Sequence, residues 1–371
     1  MKKILGLVLI TGVLISCKKD KNEDDQFVDN FDRAALLSNV GNNIIVPNYL
    51  NLKESGDSLY DFTLNFVTSP NVTSLTTLRN HFLETYKDWM HCSMFEFGPA
   101  ATDLLRGSVN TFPCDTNQIH TNINSGTWDF AQAANIDAIG FPAIDFLLFG
   151  NGLSDAQLLD LYTSDLQAAN RKNYLTDVVN DLRNRVNNVY QSWIPSGGNY
   201  IATFVASSGT DVGSSLGYLV NQLNYDYEIL KNPRIGIPLG KMTLDIPLPE
   251  KCESVYGSFS LELAMEQVTA IENVFRGRSR AGVDGVGLAE YLDYLGAQSG
   301  GQSLSTAIVS KFSEIITAMQ AVPGPLSQAV VNNAPAVETV YQKIVQGLVL
   351  LKTEMPSALG ILITYQDADG D

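Results

Sequence analysis

Apolar residues recur at every third or fourth position along most of this chain, which is the spacing that places them on one face of an α-helix. Leu75, Leu78, Phe82 and Trp89 follow this spacing. The pattern recurs over residues 174–193, 216–230, 259–275, 308–319 and 337–355. Strict alternation of apolar and polar residues never persists for six residues between turn signals, so the sequence gives little indication of β-strands. We therefore predict an all-α fold.

Helix boundaries and a break near mid-chain suggest how these helices are grouped. Ser154 and Gln157 fit a capping box, Pro335 suits the first turn of the last helix, and Gly277 marks a helix end. Residues 195–199 (PSGGN) form the strongest break near the middle. We predict two tandem four-helix bundles, over residues 31–195 and 199–366.

The second half carries a proline-rich segment at residues 231–252, with prolines at 233, 238, 247 and 249. Each proline lacks a backbone donor and clashes with the preceding helical turn. We therefore expect this segment to be extended. It is either a strap across the seam between helices or a functional segment.

The N-terminus reads as an export signal. Lys2 and Lys3 precede an apolar run over residues 4–16, which is shorter than the roughly 20 residues that span a bilayer. We predict a signal peptide at residues 1–16. The Leu-Ile-Ser-Cys sequence ending at Cys17 resembles a bacterial lipobox, which implies a diacylglycerol on the sulfur and a further acyl chain on the freed amine. Residues 17–30 would then be a flexible acidic tether.

Composition limits the remaining functions. The formal charge of −16 opposes binding to nucleic acid, which we exclude as a partner. With only three histidines and four cysteines, the chain has few ligands for a zinc site. Beyond Cys17, the cysteines at 92, 114 and 252 allow at most one disulfide, and each could equally be a buried free thiol.

One helix carries an apparent row of metal ligands. His81, Glu84, Asp88 and His91 are spaced by three, four and three residues. A single helix cannot wrap an ion with ligands spread over roughly 10–15 Å along its axis, so we predict a solvated face. The acidic C-terminus, Asp367 to Asp371, stops before the later carboxylates of a calcium loop.

Residues 134–150 (ANIDAIGFPAIDFLLFG) resemble the signature region of the imelysin family, whose members carry Gly-x-His-x-x-Glu followed by Phe-Leu-Leu-Trp-Gly. Residues 43–49, 94–100 and 224–240 are also similar to stretches of that family. The resemblance implies two four-helix bundles with the motif in a cleft between them.

The motif is incomplete in this chain. Gly140 matches the family's glycine, Pro142 stands where the resemblance implies a metal-binding histidine, and Asp145 replaces the glutamate. Proline has no side-chain lone pair, and no histidine follows His120. We therefore predict no metal ligand and no catalytic residue, and we expect Gly140, Pro142 and Asp145 to be ligand-binding positions at the cleft. The phenylalanines at 141, 146 and 149 are expected in the core.

The resemblance implies either metallopeptidase activity or a part in iron acquisition. We expect a non-catalytic lipoprotein connected with iron or haem uptake, with no cofactor, but with iron or haem, another small ligand or an iron-uptake component as its partner. It would be anchored through its lipid in the cell envelope, at the outer membrane, facing either the periplasm or the cell surface. The alternatives are a metallopeptidase whose ligands moved to His81, Glu84 or His91 beside Asp145, and a structural or adhesive surface lipoprotein.

Overall fold

Long amphipathic helices dominate the computed structural model, which describes residues 29–365. The predicted signal peptide, Cys17, nearly all of the tether and the acidic residues 367–371 lie outside the described residues. The helices of the first half are α1 (Arg33–Asn39), α2 (Val46–Thr68), α3 (Val72–Met90), α4 (Pro99–Thr102), α5 (Leu105–Val109), α6 (Thr116–Ser125), α7 (Gly140–Phe149), α8 (Asp155–Thr163) and α9 (Ala168–Trp193).

The second half continues in the same way. Its helices are α10 (Tyr200–Ala206), α11 (Ser215–Ile229), α12 (Ile237–Leu239), α13 (Ser260–Phe275), α14 (Leu288–Tyr294), α15 (Leu304–Gln320), α16 (Leu326–Asn332), α17 (Ala334–Leu348) and α18 (Met355–Leu359). Two strands, β1 (Gln298–Ser299) and β2 (Gln302–Ser303), form a short antiparallel hairpin. Three π-helical segments (Val40–Ile45, Leu230–Gly236 and Val349–Glu354) and two 3₁₀ segments (Ala133–Ala138 and Pro249–Lys251) complete the list.

The predicted long helices are confirmed, and the same apolar spacing explains their packing. Leu75, Leu78, Phe82 and Trp89 are fully buried on α3. Helix α2 packs against α3 and α9, α15 packs against α17, and α13 contacts both α15 and α3. Residues 31–365 belong to one compact unit, and the division into two bundles at 195–199 stays a prediction.

The predicted helix signals are also confirmed. The side chains of Ser154 and Gln157 cap α8 reciprocally. Pro335 occupies the first turn of α17, where its missing N–H would have no intrahelical partner. Gly277 follows α13 with a φ of +64°. No helix among residues 29–365 is long and apolar enough to cross a membrane.

The prediction that residues 231–252 are extended is wrong for their first part. Residues 230–236 form a π-helical continuation of α11, and α12 follows directly. The wider π turn contains Pro233, so the helix passes the ring and its missing donor without breaking. Pro238 lies in the first turn of α12, where proline is tolerated. Turns and a 3₁₀ segment make up most of the rest.

Candidate functional site

The motif residues occupy the first half of α7, a helix that is buried on all sides except at its end. Gly140 has a φ of +73°, and a Cβ there would lie 2.3 Å from the Val109 carbonyl oxygen. Only glycine fits this position, because both the backbone conformation and the space exclude a side chain. Pro142 is buried in the first helical turn, where its missing N–H costs no hydrogen bond.

Asp145 is 1% exposed and bonds a distant turn rather than its own helix. Its Oδ1 accepts hydrogen bonds from Ser254 Oγ at 2.9 Å and from the Gly257 N–H at 3.0 Å, and its Oδ2 accepts one from the Tyr256 N–H at 3.0 Å. Burial raises the pKa of Asp145 to about 7, although these three donors act in the opposite direction. Asp145 therefore fastens α7 to the turn at 253–258.

The metal that the family motif implies does not fit these residues. Pro142 offers no ligand atom, and both oxygens of Asp145 are already engaged by the turn. Across residues 29–365, no three His, Cys, Asp or Glu side chains come together in a group that could hold a metal ion.

Next to this turn, Glu253 is the centre of a buried polar network. Its Oε1 accepts hydrogen bonds from Tyr86 Oη at 3.1 Å and from Asn110 Nδ2 at 2.8 Å. Arg234 donates to both oxygens of Glu253, from Nε and from Nη2. Burial opposes the charge of Arg234, but the Glu253 carboxylate outweighs it and holds the arginine pKa above its ordinary value. The network joins α3, the π segment and the turn at 253–258.

A cleft of about 220 Å³ opens beside this network. Arg106 is fixed in its wall, because Nε and Nη2 both donate to the Ser93 carbonyl, at 3.2 and 2.6 Å. The Arg106 guanidinium also lies 5.1 Å from the centre of the Tyr225 ring. The remaining lining residues include Trp89, Asn110, Thr111, Phe112, Asp226, Ile229, Pro233 and Arg234.

Asp226 supplies the negative charge of the cleft and is fully buried on α11. Its Oδ2 accepts hydrogen bonds from Gln267 Nε2 at 2.7 Å and from Ser93 Oγ at 3.2 Å. Its Oδ1 lies 4.0 Å from Arg106 Nη2.

Several buried polar atoms of the lining residues have no hydrogen-bond partner within the described part of the chain. They are Trp89 Nε1, Arg234 Nη1 and Asp226 Oδ1. Buried donors and acceptors are nearly always paired in native proteins, and leaving one unpaired costs about 1–3 kcal/mol. None of these three atoms is exposed, so a ligand in the cleft would contact the partly exposed lining residues instead, among them Arg106, Thr111 and Tyr225.

The histidine and carboxylate row on α3 does not form one solvated face, and that prediction is wrong. His91 follows the end of α3, is 2% exposed, and its Nε2 lies 2.7 Å from Glu266 Oε1. His81 stacks on Phe62 with ring centres 3.7 Å apart. Asp88 pairs with Arg280, so only Glu84 of the row is exposed.

The phenylalanines and cysteines discussed in the sequence analysis lie in the hydrophobic core or pack against it. Phe141 is fully buried and stacks on Tyr86 with ring centres 4.3 Å apart. Phe146 is also buried, and Phe149 packs against the core. The cysteines at 92, 114 and 252 are buried free thiols, and burial raises the pKa of Cys114 and Cys252 to about 12.

Gly140, Pro142 and Asp145, the positions predicted from the sequence to bind a ligand, are not among the residues that line this cleft, and sequence reasoning missed the residues that are. Two signals were available. Asp226 lies three residues after Leu223 and four before Leu230, on the apolar stripe of α11, where a charge needs a partner. Arg234 is a single charge within the apolar and proline-rich stretch from 233 to 239.

Comparisons with known proteins agree with the resemblance seen in the motif. The imelysin family model matches residues 45–355. Iron-regulated protein A of Synechococcus elongatus is 23% identical over 288 residues, covering 76% of this chain and 74% of that protein.

Two crystal structures share the fold. One is of an iron-regulated protein A precursor from Parabacteroides distasonis, with a TM-score of 0.70, 17% identity, and coverage of 87% of this chain and 95% of that one. The other is of an imelysin-like protein from Psychrobacter arcticum, with a TM-score of 0.66, 16% identity, and coverage of 90% and 97%. At these identities they show the fold alone, and they confirm the all-α prediction.

Proposed function

Because the chain belongs to the imelysin family, we propose that it is a lipid-anchored binding protein with a part in iron acquisition and without catalytic activity. The binding role is carried by one observation, a cleft of about 220 Å³ whose partly exposed lining combines Arg106 and Thr111 with the rings of Phe112 and Tyr225. The iron-related part is supported by the names of its relatives, which are described as iron-regulated protein A.

The chemistry of the motif favours binding over bond cleavage. A metallopeptidase of the type that the resemblance implies needs a cation to polarise the substrate carbonyl and to lower the pKa of bound water. Pro142 offers no atom that could bind that cation. Both carboxylate oxygens of Asp145 already accept hydrogen bonds from the turn at 253–258. His81 and His91 have separate partners, Phe62 and Glu266. The cleft retains polar and apolar lining residues that suit a small ligand.

The anchoring part of the proposal depends on the sequence around Cys17, which resembles a lipobox. We propose an attachment at the outer membrane, with residues 17–30 between the lipid and the fold. The polar, charged composition of residues 18–25 suits a solvated spacer, because it offers no apolar surface to bury.

Deletion of the gene in its native host tests the iron-related part. We expect the deletion strain to grow more slowly than its parent in medium depleted by an iron chelator, and to grow equally well in iron-replete medium. A plasmid carrying the full chain should restore growth, and the empty plasmid is the control. Equal growth of both strains under depletion would contradict the iron-related part and favour a structural or adhesive role.

A protease assay on the purified chain tests the absence of catalysis. We expect no cleavage of casein after loading with Zn²⁺ or Fe²⁺. Cleavage that EDTA abolishes would overturn this part of the proposal in favour of a metallopeptidase with relocated ligands.

A further inference from the structure

A second pocket, separate from the cleft, opens beside the segment that leads into α7. It has a volume of about 330 Å³ and lies between α6, the loop at 127–132 and the 3₁₀ segment at 133–138. The residues that line it are Gln118, Asn122, Thr127, Trp128, Asp129, Gln132, Ala134 and Asn135, and we call it the amide pocket. It shares no lining residue with the cleft.

The lining of the amide pocket offers neutral polar groups instead of charges. Four of its eight residues are asparagine or glutamine, and each amide is both a donor and an acceptor. Asp129 is the only charged side chain among them, and its oxygens already accept hydrogen bonds from the Ala131 N–H at 3.0 Å and from Gln132 Nε2 at 3.3 Å. With no cationic side chain in the lining and a formal charge of −16 on the chain, the pocket opposes anions.

A chain of hydrogen bonds holds the floor of the amide pocket. Asn135 Oδ1 accepts from Asn122 Nδ2 at 2.8 Å and from Gln118 Nε2 at 3.3 Å. Asn135 Nδ2 donates to the Asp129 carbonyl at 2.8 Å, and Asn122 Nδ2 also donates to Tyr174 Oη at 3.2 Å. Asn122 and Asn135 are each 4% exposed. The floor therefore positions the outer residues in advance, which lowers the ordering cost of binding.

The groups that a ligand can contact lie at the rim of the amide pocket. Gln118 and Trp128 are half-buried, and Thr127, Asp129 and Gln132 are exposed. Gln118 Nε2 donates to the floor, and Gln132 Nε2 donates to Asp129. The Oε1 atoms of both glutamines accept no hydrogen bond from the described residues. Two amide oxygens at the rim are thus open to neutral donors such as hydroxyl groups.

Trp128 gives the pocket an aromatic surface in a fixed position. Its Nε1 donates to Asp177 Oδ2 at 3.0 Å, and its ring meets the Tyr174 ring nearly at right angles, with centres 5.0 Å apart. A sugar ring presents C–H groups on its faces and hydroxyl groups around its edge, so it can use an aromatic ring and neighbouring amides together. A wholly apolar ligand would leave the amides unpaired.

We propose that the amide pocket binds a neutral saccharide. Its hydroxyl groups donate to Gln118 Oε1 and Gln132 Oε1, and a face of its ring packs against Trp128. The site is independent of the cleft and of iron, so its failure would leave the proposed function as it stands.

Tryptophan fluorescence gives a selective test on the full chain. The chain has three tryptophans, of which Trp89 and Trp193 are fully buried, so acrylamide should quench Trp128 preferentially. The probes are maltose, cellobiose, lactose, xylobiose and N,N′-diacetylchitobiose, each added in the presence of EDTA so that no divalent cation contributes. We expect at least one of them to protect Trp128 from acrylamide, saturably and at millimolar concentration. Spermidine and inorganic phosphate, as charged probes, should give no protection.

Two substitutions assign the response to the amide pocket. Trp128→Phe should abolish the fluorescence response. Gln132→Ala should weaken the affinity for the protecting disaccharide, measured by calorimetry, about fivefold, since a neutral hydrogen bond contributes about that factor. Gln328→Ala is the matched control, because it removes an exposed glutamine on α16 that does not line the pocket, and it should leave the affinity unchanged.

Four outcomes would overturn the proposal. They are the absence of protection by all five disaccharides, equal protection by spermidine or phosphate, a response that persists in Trp128→Phe, and an affinity that Gln132→Ala does not change. Should Trp128→Phe fail to fold, Gln132→Ala decides, because its exposed side chain is not part of the core.

Discussion

Asp145 shows how one residue can keep a motif position while losing the chemistry that the motif implies. The carboxyl group remains at the expected place on α7, but its three hydrogen bonds go to the turn at 253–258. Ser254 in that turn has a φ of +47°, a conformation that costs a non-glycine residue roughly 1–2 kcal/mol. The hydrogen bonds to Asp145 help to offset this strain, so the role of Asp145 is to stabilise the folded structure.

The buried position of Asp145 predicts an unusual pH dependence of stability. Its folded pKa of about 7 lies above the ordinary value of 3.8, so its contribution is fully present below pH 3.8 and is lost as pH rises through 7. Between pH 5 and 8, this loss amounts to about 3 kcal/mol of unfolding free energy. Urea denaturation at pH 5 and at pH 8 should show that the unfolding free energy of the Asp145→Asn variant does not fall by this amount between the two pH values.

The comparison needs a control because other groups titrate in the same range. Asp103→Asn replaces an exposed aspartate and should leave the pH dependence of the unfolding free energy as it is in the unmodified chain. If Asp145→Asn and the unmodified chain lost the same free energy between the two pH values, the buried carboxyl would not be the cause.

At the scale of elements, the π-helical segment at 230–236 is the feature that builds the cleft. It carries Pro233 and Arg234, both of which line the cleft, and it directs Arg234 onto Glu253 in the turn at 253–258. A π segment is wider than an α-helix and often marks a functional site. The salt bridge therefore ties two elements together and also fixes the cleft wall.

Removing one partner of this salt bridge should be costly. Glu253→Gln leaves the Arg234 guanidinium buried without its counter-ion, and we expect a loss of about 3–5 kcal/mol in unfolding free energy. Combining it with Arg234→Met should cost less than the two single losses together, because no charge is then buried alone. Urea denaturation of the unmodified chain, the two single variants and the double variant gives the coupling free energy between Glu253 and Arg234.

The matched control is the partly exposed pair of Asp181 and Arg185 on α9. Asp181→Asn should cost less than about 1 kcal/mol, because water screens such a pair. A loss for Glu253→Gln no larger than that for Asp181→Asn would show that the buried salt bridge does not hold these elements together.

The elements also show how far sequence reasoning reaches. Helices such as α3 and α9 were predictable because their apolar residues repeat with the helical period. The helical structure of residues 230–236 was not predictable, because a π turn removes the local penalty that Pro233 imposes on a regular helix. The cleft was missed because its contacts join residues far apart in the chain, as between Asn110 and Glu253, and no local spacing records them.

At the scale of the whole molecule, the formal charge of −16 opposes attraction to an anionic membrane surface. Membrane attachment, as we propose it, therefore depends on the acyl chains at Cys17, each buried methylene of which contributes about 0.8 kcal/mol. Three such chains exceed the two signals that stable anchoring needs. The charged residues after Cys17 would keep the fold away from the lipid surface.

Substituting Cys17 tests this attachment directly. The unmodified protein, expressed in a bacterial host, should stay in the membrane fraction after washing with high salt and be released by detergent, and mass spectrometry should find a diacylglyceryl group on Cys17. Cys17→Ser should move the protein to the soluble fraction, because the cysteines at 92, 114 and 252 are buried in the fold and do not follow a lipobox-like sequence. Cys92→Ser, which changes a buried free thiol, is the control and should leave the distribution unchanged. An unmodified protein that is soluble without detergent would contradict the anchor but would not bear on the cleft, because the residues that line the cleft lie between 89 and 234.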